Sequence, residues 1–306
     1  MIKHSNLKKS LSLLKNQLKF SSLKLQFLDL IKGIKKRDLF LLIIFPIVIT
    51  LLMFLPSGIR EILQLNIKNP IWWQYLSQSF VHKNWNHLSS NMFAYFLFSL
   101  LGLILANQCK EKKRFFRFFL FLIITLPILS SYIQIKLYPI LLSWLPNLKY
   151  SSGSSGIVSA LAGFIPIFWA VYFNKINKKI NLDIRTSCFF LAYIALLFVY
   201  TYSKSISPTF IIVLFLFILL LLSLLLNFKA IFFEISKGSV NNILKTFLLI
   251  VAILFFIVTP IIIFPTIDKM FSGGAFVDFF MHYIGIVYGI LISSNYFIFI
   301  NKKWKS

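Results

Sequence analysis

Four polar residues within the apolar stretches of the chain have the types and the order needed for acyl transfer. Ser155 lies in Gly153-Ser154-Ser155-Gly156, and the flanking glycines, lacking Cβ atoms, let a substrate or another backbone approach it. A serine hydroxyl is a weak nucleophile until a base takes its proton; far downstream, His282 in His282-x-x-Gly285-x-x-x-Gly289 offers an imidazole nitrogen for that task. The tetrahedral intermediate would also need donors for its oxyanion. The Asn91 amide and the His87 ring, in His87-x-x-x-Asn91, and the backbone N–H groups around Ser154 and Ser155 could supply them. Each of these residues also has a plainer reading, as a loop serine, interhelical glue or an interfacial histidine. It is their combination that points to chemistry.

The elements that must carry these residues are membrane spans. The chain of 306 residues is 58% hydrophobic with a mean hydropathy of +0.84, and apolar runs of about 20 residues recur along it, the length a helix needs to cross a bilayer. An all-α polytopic membrane protein is predicted, with spans near 39–56, 87–106, 116–135, 155–173, 187–202, 209–227, 246–265 and 276–300. A basic N-terminal tail, 1–38, precedes this domain of residues 39–300, and a short basic tail, 301–306, follows it. The tail reads either as a plain basic tail or as a segment lying in part on the membrane surface as an amphipathic helix, and not as a removable signal peptide.

Orientation follows from charge. With both termini in the cytoplasm, the inside segments hold 25 of the 32 Lys and Arg residues and the outside segments seven, as expected for loops retained on the cytoplasmic side. This asymmetry accounts for the net charge of +24 without nucleic acid as a partner; a basic cytoplasmic face suits anionic headgroups of the lipid bilayer. The outer segment 57–86, rich in aromatic residues, is expected to rest in the outer interface. Cys109 and Cys188 both fall near the inner side and imply no disulfide framework.

Topology then serves as a ruler. Ser155 and His282 each stand 18 residues above the inner ends of their spans, at Phe173 and Ile300, about 27 Å at helical rise. Asn91 and His87 stand roughly 23 and 29 Å above Ala106. All four therefore share one level beneath the outer surface. Gly285 and Gly289 form a small-residue face on the last span, and Ala160 and Gly163 a matching one below Ser155, so the two helices can approach closely.

In these motifs the sequence resembles the rhomboid family of intramembrane serine proteases: Gly153-x-Ser155-Gly156 followed by Ala160 and Gly163, His282-x-x-Gly285-x-x-x-Gly289, and His82-x-x-x-x-His87-x-x-x-Asn91. The resemblance implies a six-helix core, a Ser155–His282 dyad opened to water from the outer face, an oxyanion site involving His87 and Asn91, a structural role for His82, and single-span membrane proteins as substrates. It implies no cofactor and no metal, and a multi-pass protein of the cell membrane. Departures are visible: Trp73-Gln74 stands where the family commonly has Trp-Arg, Ser159 replaces a frequent aromatic residue, and Met281 replaces a small one. Three spans rather than one separate serine from histidine, an insertion of two that preserves their sidedness.

Asp278, one turn before His282, could accept a hydrogen bond from the ring as a possible orienting acid, or simply favour the start of its helix. The alternative to an enzyme is a catalytically inactive rhomboid-like protein that binds membrane-protein clients. A metalloprotease is disfavoured because no His-Glu-x-x-His occurs. A transporter would call for charged residues at the midplane and an internal repeat.

Overall fold

The computed structural model describes residue 28 and residues 31–141, 150–176, 271–272, 275–276 and 279–303. Of the eight spans expected, those near 187–202, 209–227 and 246–265 lie outside the described residues, as does most of the N-terminal tail. The other five correspond to helices: α1 (Lys36–Met53), α4 (Trp85–Gln108), α5 (Lys112–Leu141), α6 (Ser155–Ile176) and α7 (Phe279–Lys303). Trp85–Gln108 and Lys112–Lys136 are long and apolar enough to cross a membrane, and Ser155–Phe168 and Met281–Ser294 are shorter apolar helical stretches. Between α1 and α4 the outer segment folds into α2 (Ser57–Leu63), the strand β1 (Leu65–Asn66), α3 (Gln74–Ser77) and a 3₁₀ turn (Gln78–Phe80). Strand β2 (Tyr150–Ser151) pairs antiparallel with β1, and β3 (Phe271–Ser272) with β4 (Ala275–Phe276).

The core is an apolar cluster shared by α1, α4, α5, α6 and α7, in whose middle the Phe164 ring stacks on Phe118 and meets Phe115 and Phe168 at a tilt. Pro46 lies inside α1 and has no N–H to give the Leu42 carbonyl one turn back. Tyr95 of α4, fully buried and stacked on Phe45 at 5.0 Å, donates its hydroxyl to that same carbonyl at 2.8 Å. A backbone acceptor that lipid would leave unsatisfied is thus paired from the neighbouring helix.

The end of the bundle where α1 begins and α4 meets α5 is held by polar groups. Asp38 accepts from the Lys35 N–H at 2.9 Å and forms an ion pair with Lys112 at 2.6 Å. Lys112 also donates to the Gly33 carbonyl, and Asn107 to the Lys32 carbonyl at 2.9 Å.

Among the described helices, α6 and α7 make the closest contact. A Cβ on Gly285 would collide with the Gly156 carbonyl oxygen, one on Gly289 with that of Ala160, and one on Gly163 with that of Ile286. The two backbones therefore touch along three successive levels, with attraction arising from packing rather than from a hydrophobic effect that lipid does not provide.

Candidate active site

Ser155 is the first residue of α6, and the turn before it is tightly determined. Gly153 has φ +127°, a conformation that disfavours residues with side chains, and a Cβ there would come within 2.7 Å of the His87 ring. The Gly153 N–H donates to the Gln78 carbonyl at 2.9 Å. The Ser154 carbonyl accepts the first helical bond of α6, from Val158 N–H at 3.0 Å. The N–H groups of the first turn are thereby directed out of the helix end, where its dipole favours negative charge.

His82 is completely buried and gathers this turn to α4. Its Nε2 lies 3.0 Å from Asn91 Nδ2, 3.2 Å from Ser154 Oγ and 3.3 Å from Ser154 N. Because the Asn91 nitrogen and the Ser154 backbone can only donate, Nε2 accepts and the proton resides on Nδ1. Nδ1 is buried and has no hydrogen-bond partner among the described residues. Burial, and after it the neighbouring His87, push the His82 pKa down to about 3, so the ring is neutral.

His87 and Asn91 sit one turn apart on α4. The helix begins where the Asn84 side chain accepts from the His87 N–H at 2.8 Å, an N-cap that starts the face carrying both residues. The His87 ring packs edge-to-face on His82, with centroids 5.1 Å apart, and against Gly153. Asn91 uses one amide hydrogen on His82 and carries a second.

His282 belongs to the turn of α7 that packs on the first turn of α6. Met281, just before it, is buried with its Cε 3.0 Å from the position a Gly156 Cβ would take, and Gly285 lies against the Gly156 carbonyl and within 3.0 Å of Ser159 Cβ on the same reckoning. Ser155 and His282 thus occupy adjoining turns of the tightest helix pair among the described residues. Small Ser159 makes room for Gly285, and the longer Met281 covers Gly156. Asp278 lies outside the described residues. No group of three or more His, Cys, Asp or Glu that could hold a metal occurs among the described residues.

Several polar residues near this turn were not singled out by sequence reasoning. Gln78, Ser131, Gln134 and Ser151 are buried; Gln78 donates to Ser131 Oγ at 3.0 Å and Gln134 to Ser151 Oγ at 3.1 Å. The signal existed as polar residues at Ser130, Ser131 and Gln134 within the apolar run of α5. Arg60 donates to the His82 carbonyl at 3.3 Å, bracing the loop that bears that histidine.

Comparison with known proteins agrees with this architecture. The profile of the Rhomboid domain matches residues 69–211, which include His82, His87, Asn91 and Ser155 and end before His282. Rhomboid-like protein 11, chloroplastic, of Arabidopsis thaliana is 34% identical over 94 residues, which are 30% of this chain and 28% of that protein. No solved structure matches the chain. The Rhomboid domain match over residues 69–211 and this partial relative support membership of the rhomboid family, with the outer-segment histidines and the serine turn inside the matched stretch.

Proposed function

We propose that this protein is an intramembrane serine endopeptidase of the cell membrane that hydrolyses peptide bonds in or near the transmembrane segment of single-span proteins. Its eight spans would run from a cytoplasmic N-terminus to a cytoplasmic C-terminus. The observation that carries the reading is the packing of Gly285 on Gly156, which brings the turns bearing His282 and Ser155 side by side.

In the mechanism, His282 takes the proton of Ser155 as Oγ bonds to the scissile carbonyl carbon. The carbonyl oxygen becomes an oxyanion, met by the second Asn91 N–H, the His87 ring and the N–H groups of the Ser154–Ser155 turn. When the C–N bond breaks, His282 returns the proton to the leaving amine. Water, deprotonated by the same ring, then releases the acyl group and restores Ser155. Asp278, one turn before His282 in sequence, would orient the imidazole; unchanged proteolysis by Asp278→Asn would remove that role.

A second reading is client binding without cleavage, favoured by the buried Met281 side chain lying over Gly156 beside the nucleophile. Purified protein in detergent separates the two. Protease activity predicts labelling by a fluorophosphonate and cleavage of a generic single-span substrate, both lost in Ser155→Ala and His282→Ala. Wild-type protein that neither labels nor cleaves would put client binding in its place.

A further inference from the structure

We propose that Gln74 is a positioning residue for the Gly153–Ser155 turn, acting through the outer segment rather than by touching the reacting atoms. The activity arm of this inference rests on the protease reading; its structural arm does not.

Gln74 is 4% exposed and its carboxamide makes three hydrogen bonds to the backbone of the outer segment. Oε1 accepts from Asn66 N and Ile71 N, each at 3.1 Å, and Nε2 donates to the Ile62 carbonyl at 3.0 Å. Two inward-pointing N–H groups and one carbonyl need a side chain that both accepts and donates. A carboxamide does so without charge, whereas an arginine has donors alone. The buried carboxamide thereby fixes three backbone groups of the outer segment in place, the Ile62 carbonyl also accepting from Trp73 Nε1 at 3.4 Å.

From Gln74 two routes lead to the serine turn. On one side, Asn66, held by Gln74, pairs with Tyr150 in the β1–β2 ladder while Leu65 pairs with Ser151, so the strand entering the turn takes its register from the outer segment. On the other side, the helix that Gln74 begins runs into the 3₁₀ turn, where the Gln78 carbonyl accepts the Gly153 N–H. That helix is clamped twice more: Ser77 Oγ donates to the Leu63 carbonyl at 2.7 Å, and Ser131 Oγ donates to the Tyr75 carbonyl at 2.9 Å. Residues 150 to 153 are therefore tied at both ends to groups that Gln74 orders, immediately before Ser154 reaches His82.

The test is hydrogen–deuterium exchange and fluorophosphonate labelling of the full chain in detergent, comparing wild type with Gln74→Met, Gln74→Glu and Ser77→Ala, and with Lys68→Ala as an exposed control on the same segment. Gln74→Met, near in length but unable to make these bonds, should speed exchange of amides across 150–156 while those of α4 remain as in wild type. It should also slow Ser155 labelling by about ten-fold. Gln74→Glu, which retains the acceptor, should fall between. Ser77→Ala, a milder change, should speed the same amides if Gln74→Met does not fold. Unchanged exchange across 150–156 in the folded variants would overturn the inference, as would an increase spread equally over α4. If wild type does not label, the protease reading fails and the exchange pattern alone decides this one.

Discussion

His82 Nε2 lies 3.2 Å from the Ser154 hydroxyl, 72 residues along the chain, and 3.0 Å from the Asn91 amide, nine residues along it. One neutral ring therefore joins the outer segment, α4 and the turn that carries Ser155. The consequences of that junction can be measured.

Replacing His82 by Ala removes the acceptor for Asn91 and Ser154 while both remain buried. A loss of roughly 1–3 kcal/mol is expected for such stranded donors, together with slower labelling of Ser155. Thermal unfolding in detergent beside a fluorophosphonate time course would register both.

The same ring predicts a pH dependence. In the unfolded chain a histidine titrates near 6.5, whereas in the fold His82 stays neutral until about 3. Below 6.5 the unfolded state takes up a proton that the fold refuses, so this group's contribution falls as pH drops from 6.5 towards 3 and is constant above. The slope approaches about 1.4 kcal/mol per pH unit, and His82→Asn should flatten the stability profile in that window.

Two glycines should answer alanine in opposite ways. At Gly285 a Cβ meets the Gly156 backbone, which belongs to the helix it packs on, so Gly285→Ala must part α6 from α7; a loss of about 3 kcal/mol or more and abolished labelling are expected. Gly58 in α2 has nothing within 4 Å of the same position, so Gly58→Ala should be neutral or stabilise by up to about 1 kcal/mol. Unfolding midpoints of the two variants decide the contrast.

Tyr95 and Pro46 should be coupled. Tyr95→Phe leaves the Leu42 carbonyl without its donor and should destabilise by about 1–3 kcal/mol. In a Pro46→Ala background the helix regains an N–H one turn beyond Leu42, so the same change should do less harm. A double-mutant cycle by chemical denaturation would yield the difference; purely additive effects would contradict the shared-carbonyl account.

The five described helices of the bundle were legible in the sequence for a reason peculiar to lipid. A bilayer admits only segments that satisfy their own backbone and present about 20 apolar residues, so hydropathy alone reports where a span lies. The small residues Ala160, Gly163, Gly285 and Gly289 were equally readable, since only residues without bulk permit backbones to touch. Ser155, His282, His87 and Asn91 stood out because polar groups are rare in such surroundings.

The outer segment yielded less. Its 30 residues from 57 to 86 hold no repeating period, and its short helices and two-residue strand owe their form to partners distant in sequence: Asn66 to Tyr150, Gln78 to Gly153, Arg60 to His82. Gln74 looked like a plain departure from a family pattern, and only its surroundings reveal a carboxamide closing three backbone hydrogen bonds. By itself the sequence determined the apolar helices now described and the residue types at the candidate site, because solvent acts on each segment locally. Which polar side chain meets which backbone group was decided by tertiary structure, because hydrogen bonds depend on ångström-scale placement that hydropathy does not encode.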